Sequence, residues 1–370
     1  MPDRDHHVCE LERLIGPVAD RAGKADQANG DLRPDIADLS SLGWLKACLP
    51  RDHGGKGWGT EREGAIPALN ALRALGRANL SVARLFEGHM NAVQLIFRYG
   101  NLQLKNTIAR DICGADILLG VWGADDPAHP FRFRKEDNAI RLGGAKRFAS
   151  GLGLVDKAIV IAPGPGGEPS MLVVPVDDEM RGDSSGWNMA GMRATRSGRY
   201  EFEGLLATGE TIVGDEGDYL REPHFEGGIW RYCATHLGGA EALYREMLKS
   251  LTARNRADDT DQRRRIVACA TALETSRLWL VRCAEETATN DAEPSKATLS
   301  LLARQVTETA CRDTIEIVDR ALGMAAHEEN SPVERIKRDL SLFLCQAAPD
   351  AKRERAGRAL VRERQLAEML

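Results

Sequence analysis

The spacing of hydrophobic residues changes twice along the chain, and these changes divide it into three blocks. In residues 8–114 apolar side chains recur at helical spacing, as in RPDIADLSSLGWLKACL and in AIPALNALRALGRANLSVARLFEGHMNAVQLIFRYG. The glycine-rich run RDHGGKGWG separates these two stretches. We therefore predict that the first block is mainly helical.

The middle block has the pattern of short strands. From about residue 117 apolar runs are cut by Gly, Pro and Asp, as in ILLGVWGADDP, AIRLGGAKRFASG, KAIVIAP and SMLVVPVDD. The run PGPGGEP at 163–169 predicts the turn of a hairpin. RYEFEGLLATGETIVG continues the pattern to about residue 214. A block of this kind predicts a small barrel or sandwich.

Helical spacing returns at Trp230 and continues to the end of the chain. The polar runs ADDTD, NDAEPS and HEENSP divide this block into about four helices, which predicts an antiparallel bundle. The fold class is therefore α+β, in three parts. We expect an N-terminal helical domain at 1–116, a middle β-barrel domain at 117–220 and a C-terminal four-helix bundle at 221–370.

Composition removes several classes of function. The 370 residues carry a formal net charge of -5, which gives no reason to expect a nucleic-acid partner. No apolar run approaches the roughly 20 residues that span a bilayer, and the charged start MPDRDHHVCELERL lacks the apolar core of a secretory signal. Eight cysteines without a CxxC pair predict reduced, mostly buried thiols and no metal site. We expect a cytoplasmic protein without a membrane partner.

Five stretches, in this order, carry a resemblance to a known family: LPRDHGGKGWG, RLFEGHMNAVQLIFRYGNLQLK, GGAKRFASGLGLVDKAIVIA, NMAGMRATRSGRYEFEG and ALGMAAHEENSPVERIKRDL. Together they resemble the acyl-CoA dehydrogenase superfamily, with its Gly-Gly turn, its Gly-x-Lys-x-Phe strand and its Gly-Met-Arg segment. The resemblance implies that FAD binds between a β domain and two helical domains. It also implies a homodimer or homotetramer.

The resemblance places three residues of the middle block near the flavin ring. Ser150 stands where the family has a Thr or Ser at the reactive edge of the ring, and Phe148 takes the adjoining aromatic place. Trp122 falls on the family's flavin-lining strand, although plain core packing explains it equally well. The family's Thr-Glu-Pro is replaced here by Ala124, Asp125 and Asp126.

Four residues of the last block correspond to those that hold the other half of FAD from a neighbouring subunit. Arg254 and Arg256 lie where the family has an Arg for the pyrophosphate, and Gln262 is a candidate adenine or ribose contact. Gly323 is the one glycine that remains of the family's Gly-Gly-x-Gly turn. The alternative for either arginine is a solvated helix end.

The family's catalytic base is missing from its usual place. Most members carry a Glu after the last bundle helix, where this chain has QAAP at 346–349. Some members hold the base at the start of the first bundle helix, near Gly228 here. Glu226 is a candidate only if that start is not helical, because two helical residues turn a side chain about 200° away. Asp350 is the remaining candidate.

Three polar side chains in apolar surroundings are candidates for substrate contact. His89 and Glu87 lie within an apolar helix, where the family often has a His facing the substrate. The alternative is a hydrogen-bonded contact between helices. Arg231 is a candidate for binding a phosphate or carboxylate of the ligand, or else a surface charge.

Three functions are consistent with these residues. The first expectation is an FAD-dependent oxidoreductase that introduces a double bond into an acyl thioester, with a relocated or absent base and an electron-transfer partner. The second is a flavin-dependent monooxygenase on the same fold, supplied by a flavin reductase. The third is a non-catalytic homologue that has lost FAD.

Overall fold

Helices precede and follow a block of strands in the computed structural model, which describes residues 11, 15–28, 30–137, 139–288, 292–329, 331–346 and 348–363. The helices before the strands are α1 (Gly16–Ala25), α2 (Arg33–Ser41), α3 (Trp44–Ala47), α4 (Ala65–Ala78), α5 (Leu80–Tyr99) and α6 (Leu102–Ala115). The predicted helical character of this block is confirmed.

Two breaks divide stretches that the apolar pattern presents as continuous. Gly43 has φ 70°, and this left-handed residue separates α2 from α3. Asn79 has an extended backbone, and its side chain accepts hydrogen bonds from the backbone N–H groups of Ser81 and Val82. Asn79 therefore ends α4 and caps α5, so that the two helices pack at an angle within one apolar run.

The strands are β1 (Leu119–Trp122), β2 (Arg132–Glu136), β3 (Ala139–Gly143), β4 (Ala145–Ala149), β5 (Lys157–Pro163), β6 (Pro169–Pro175), β7 (Gly182–Asp183), β8 (Gly198–Glu201), β9 (Leu206–Ala207) and β10 (Ile212–Val213). The predicted hairpin is confirmed, since β5 and β6 pair antiparallel with Pro163 opposite Pro169.

The expected barrel is not found. Within the described residues the strands form three separate sheets, in the orders β1-β5-β6-β10, β2-β3-β9 and β4-β8-β7. A barrel needs every strand paired on both sides, but several of these strands contain only two residues and end a sheet. Apolar runs interrupted by turns do not specify closure, so the sequence could not distinguish open sheets from a barrel.

The C-terminal block contains α7 (Trp230–Ala253), α8 (Thr260–Thr287), α9 (Lys296–Leu322), α10 (Pro332–Leu344) and α11 (Pro349–Glu363). The first of these, α7, packs against α8, α9 and α10. The segment after the polar run HEENSP, expected as one of about four helices, thus forms two, α10 and α11, and residues 364–370 lie outside the described part. The domain boundaries after residues 116 and 220 remain a prediction.

The N-terminal block meets the bundle where α4 crosses α7 at two glycines. A Cβ on Gly238 would lie 2.2 Å from the backbone oxygen of Arg73, and one on Gly76 would lie 2.3 Å from that of Thr235. The two backbones therefore touch directly. Beside this crossing, Glu241 forms ion pairs with Arg73 and Arg77.

A continuous apolar core runs through the three blocks. No helix in the described ranges combines the length and the apolar character that a bilayer crossing requires. Cysteines 48, 233, 269, 283 and 311 are buried, whereas Cys113 and Cys345 are exposed.

The glycine crossing makes a stability prediction with an internal control. Gly238→Ala should lower the free energy of unfolding by about 1–3 kcal/mol, because the new methyl group has no room against the α4 backbone. Gly23→Ala, in exposed α1 with nothing within 4 Å, should raise it by about 0.5–1 kcal/mol through helix propensity alone. Urea unfolding followed by circular dichroism measures both. Equal effects of the two substitutions would contradict the close crossing.

Candidate functional site

A cavity of about 670 Å³ lies where the three blocks meet, within the usual size range of small-molecule sites. Its walls come from α5, the end of β1, the end of β4, the segment between β7 and β8, the turn before α7 and the end of α10. Most of the wall is apolar or aromatic, and the contributing side chains are Leu95, Val121, Phe148, Trp187, Met189, Met192, Tyr219, Phe225, Ile229, Tyr232, Leu342 and Phe343.

A row of hydroxyl groups reaches the cavity through Ser150. The Oγ atoms of Ser197 and Ser150 are 3.1 Å apart, and those of Ser197 and Thr195 are 2.9 Å apart. Thr195 can donate to the backbone oxygen of Met192 at 2.7 Å or to Ser197. If Thr195 donates to Ser197 and Ser197 donates to Ser150, the hydroxyl proton of Ser150 remains available to donate to a ligand in the cavity. Ser150 therefore lines the cavity, and its flavin-facing role remains a prediction.

Phe148 and Trp187 form an aromatic corner of the cavity. Their ring centroids are 6.2 Å apart and the ring planes are nearly perpendicular. Phe148 has φ 53°, a left-handed backbone that is rare for an aromatic residue, and its side chain is 45% exposed. The guanidinium of Arg147 covers the ring at 4.3 Å. A residue held in this conformation presents its ring to the solvent side of the cavity instead of the core.

Trp122 does not line the cavity, so the structure does not bring it to the predicted flavin-facing place. Its side chain is buried and packs on the ring of Tyr200, with a centroid separation of 5.4 Å. Its indole N–H donates to the backbone oxygen of Ser150 at 3.1 Å. Trp122 therefore acts from the core, by supporting the backbone that carries Ser150.

The polar end of the cavity is a directional hydrogen-bond network. Arg84 donates to Glu87 at 2.7 Å, and the Asn91 amide donates to the other carboxylate oxygen of Glu87 at 2.5 Å. The Asn91 side-chain oxygen accepts from Nε of Arg231 at 2.6 Å, and the oxygen of Gln94 accepts from Nη2 of Arg231 at 2.8 Å. Because arginine only donates and carboxylate only accepts, the orientation of both amides is determined.

Arg231 is therefore a buried cation at the cavity wall. The residue is 5% exposed, and burial lowers the pKa of its guanidinium to about 10, against the attraction of Glu87. It stays charged at neutral pH. Arg231 is thus not the surface charge of the alternative interpretation, and its ligand contact remains a prediction.

His89 lies outside the cavity, and its predicted substrate contact is wrong on geometric grounds. One ring nitrogen, Nδ1, accepts from the backbone N–H of Leu119 at 3.1 Å, so the other, Nε2, carries the proton and donates to the backbone oxygen of Leu45 at 3.0 Å. The side chain is completely buried, and burial lowers its pKa to about 4. Both nitrogens are used in joining α5 to α3 and β1. The alternative, a structural hydrogen-bonded contact, describes His89 correctly.

The acidic candidates for a catalytic base are also not at the cavity. Glu226 begins the 3₁₀ turn Glu226–Ile229, and its carboxylate contacts Arg355 at 2.5 Å and Lys352 at 3.7 Å. Asp350 is 95% exposed at its side chain and pairs with Arg353. Gln346, at the family's usual base position, does line the cavity. Among the described lining residues the only acidic one is Glu87, and both of its oxygens already accept hydrogen bonds.

The residues predicted for the second half of FAD lie apart from the cavity. Arg254 and Arg256 are exposed after α7, and Arg256 pairs with Asp259 at 2.9 Å. Gln262 is buried and donates to the backbone oxygen of Ala321 at 3.3 Å, close to Gly323, which ends α9 with φ 62°. Gln262 and Gly323 thus share one end of the bundle. Their role toward a neighbouring subunit, and the dimer or tetramer it requires, remain predictions.

Several lining residues were not anticipated. Arg84, Asn91 and Gln94 recur with Glu87 at helical spacing, so these polar residues lie on one side of a mostly apolar helix. This spacing could have predicted that this side of the helix faces a cavity. Trp187, Tyr219 and Lys352 come from segments whose spatial position no local pattern determines. No group of three or more His, Cys, Asp or Glu residues in the described ranges is arranged to hold a metal ion.

Family profiles match both helical blocks. The acyl-CoA dehydrogenase N-terminal domain matches residues 11–116, and the acyl-CoA dehydrogenase C-terminal domain matches residues 223–344. A dibenzothiophene monooxygenase from Mycolicibacterium goodii is 25% identical over 199 residues, which are 51% of this chain and 47% of that protein. The chain thus matches about half the length of this curated relative.

Solved structures share the fold over nearly the whole chain. The complex of TdsC from Paenibacillus sp. A11-2 with FMN and indole has a TM-score of 0.83 at 18% identity and covers 97% of this chain and 98% of that one. The glutaryl-coenzyme A dehydrogenase complex with glutaryl-CoA has a TM-score of 0.77 at 19% identity and covers 93% of each chain. At these identities the likeness is one of fold.

The histidine contact predicts a pH-dependent stability. Because burial lowers the folded-state pKa of His89 from 6.5 to about 4, the unfolded chain binds the extra proton first as pH falls. Stability should therefore decline between about pH 6.5 and 4, by about 3 kcal/mol from this residue. His89→Gln should remove this contribution, whereas His89→Leu should cost about 2–4 kcal/mol at neutral pH by leaving two buried backbone groups unpaired.

Urea unfolding at a series of pH values measures both effects. The other titrating groups are common to the wild type and His89→Gln, so the difference between their pH profiles isolates His89. Parallel profiles would contradict the assigned hydrogen bonds.

Proposed function

The chain belongs to the acyl-CoA dehydrogenase superfamily, and on that premise we propose that it is a flavin-dependent monooxygenase. It would oxygenate a small, largely apolar molecule, with reduced FMN supplied by a partner reductase. The names of the curated relatives support this second expectation above the first one, thioester dehydrogenation.

The observation that carries the proposal is the state of the acidic groups at the cavity. Dehydrogenation of a thioester needs a base that can reach the α-proton of the substrate. Gln346 occupies the usual place and cannot take up a proton at neutral pH. Glu87 is held by Arg84 and Asn91, and Glu226 by Arg355. Oxygen transfer needs no such base.

The residues of the cavity fit a flavin ring. The Ser150 hydroxyl supplies a hydrogen-bond donor, and the aromatic corner of Phe148 and Trp187 supplies flat apolar surfaces. Reduced FMN, when bound, would supply the two electrons with which one atom of O₂ enters the substrate and the other leaves as water. FMN is preferred to FAD because Met324 and Ala326 stand where the family turn has glycines, and because the related TdsC structure holds FMN.

The chain's own residues provide positioning and exclusion of water. Apolar side chains from α5, α7 and α10 line the cavity, so that a ligand bound among them would displace water from the reacting centre. The Thr195–Ser197–Ser150 row orients the Ser150 proton toward the cavity. The polar network of α5 holds Arg231 in one orientation at the cavity wall.

The remaining alternatives have less support. A dehydrogenase would need a base that the described wall does not present in free form. A homologue that had lost its flavin would be under no constraint to keep an open cavity with a buried hydroxyl row at its edge.

Flavin binding and the source of the inserted oxygen test the proposal. We expect FMN to bind more tightly than FAD in a fluorescence titration of the purified protein. With a flavin reductase, NADH and ¹⁸O₂, indole or dibenzothiophene should yield a product that contains one ¹⁸O atom, by mass spectrometry. Ser150→Ala should weaken FMN binding or slow oxygenation about tenfold, as expected for one lost hydrogen bond. Exposed Ser341→Ala should change neither.

Two results would overturn the proposal. One is that neither flavin binds. The other is that the bound flavin is bleached anaerobically by an acyl-CoA such as butyryl-CoA, which would restore the dehydrogenase.

A further inference from the structure

The buried guanidinium of Arg231 has one nitrogen without a protein acceptor. Nε and Nη2 donate to the amide oxygens of Asn91 and Gln94. For Nη1 the described residues provide no hydrogen-bond acceptor, although the residue is 5% exposed and lines the cavity. Because Arg231 lines the cavity, this N–H group is available to donate to a ligand there.

The positive charge of Arg231 is also incompletely balanced. Its two hydrogen-bond partners are neutral amides. The nearby carboxylate of Glu87 already pairs with Arg84 at 2.7 Å. Buried charges are normally paired, so the wall attracts an anion that would complete the pair.

The chain leaves room for this guanidinium on its other side. Gly228 lies one turn before Arg231, and a Cβ on Gly228 would lie 2.1 Å from Nη2 of Arg231. Any other residue at 228 would push the guanidinium away from the two amides. The absence of a side chain at 228 and the two amide acceptors therefore maintain a single orientation of Arg231.

Most of the remaining wall is apolar, apart from the hydroxyl row at Ser150 and the side chains of His224, Gln346 and Lys352. Beyond the polar end, the wall is formed by side chains such as Phe225, Ile229, Leu342 and Phe343. A ligand that satisfies both regions has an apolar body and a single anionic head.

We propose that the cavity binds an organic acid, with one oxygen of its carboxylate, sulfinate or sulfonate head accepting a hydrogen bond from Nη1 of Arg231 and its apolar body between α5 and α10. This names the substrate class of the proposed monooxygenase and rests on that function, whereas the binding itself involves only residues of this chain. The head orients the molecule, and its apolar body contacts the apolar part of the wall.

Calorimetric binding of matched probes tests the proposal. The probes are benzoate, benzenesulfinate and benzenesulfonate, with neutral benzamide for comparison, each titrated into the protein with and without FMN. At least one acid should bind ten- to a hundredfold more tightly than benzamide, as expected for a charge-assisted hydrogen bond in a buried site. The ranking of the three acids identifies the preferred head.

Two variants test whether Arg231 is responsible. Arg231→Met should remove the preference for the acids and leave benzamide binding unchanged. Gly228→Ala keeps the charge but displaces the guanidinium, so it should reduce the preference by an intermediate factor. Arg264→Met, which removes an exposed arginine of α8, should have no effect. If Arg231→Met fails to fold, as judged by circular dichroism, Gly228→Ala decides the question.

The outcomes separate this proposal from the monooxygenase. Three results would overturn the organic-acid site. They are equal affinity for the acids and benzamide, no binding of any acid, and an acid preference that stays unchanged in Arg231→Met, or in Gly228→Ala if Arg231→Met does not fold. Acid binding without flavin binding would retain the site and remove the monooxygenase. If the protein binds flavin and oxygenates neutral probes but shows no preference for acids, the monooxygenase is retained and the organic-acid site is overturned.

Discussion

The geometry of the cavity depends on one buried histidine. His89 accepts from the backbone of Leu119 in β1 and donates to the backbone of Leu45 in α3. The contact uses both ring nitrogens and requires the neutral ring that burial favours. It joins the long helix α5 to the first strand and to the N-terminal helices at one point. The side of α5 that carries Glu87, Asn91 and Gln94 is thereby oriented toward the bundle.

Helix α7 faces that side, and its own position depends on a second close contact. Gly76 and Gly238 let the backbones of α4 and α7 touch, and α4 is followed directly by α5 through the Asn79 cap. The first turn of α7 therefore lies opposite the middle of α5, where Arg231 meets Asn91 and Gln94. Two packing features thus position Arg231 at the cavity wall. One is the buried His89, and the other is the pair of glycines at the crossing of α4 and α7.

The sequence predicted the three blocks and the hairpin because these follow from local periodicity and turn residues. The resemblance to the family pointed to Ser150 and Phe148, and the chemistry of its side chain pointed to Arg231; all three line the cavity. His89 and Trp122 instead follow the structural alternatives that the sequence left open, since a polar or aromatic side chain in an apolar run has the same pattern whether it faces a ligand or a buried backbone group. The open sheets and the partners of Glu226 depend on contacts between distant segments, which no local pattern encodes.

The charges at the wall and the missing base are parts of one electrostatic arrangement. Arg84, Arg231 and Lys352 all line the cavity, against Glu87 as the only acidic lining residue in the described ranges. Both oxygens of Glu87 already accept hydrogen bonds from Arg84 and Asn91, so Glu87 is not free to reach the α-proton of a substrate. The same cations favour an anionic ligand. A wall of this charge thus offers no free base for the α-proton of a thioester, and it favours an acid held in one orientation, as the proposed organic-acid site requires.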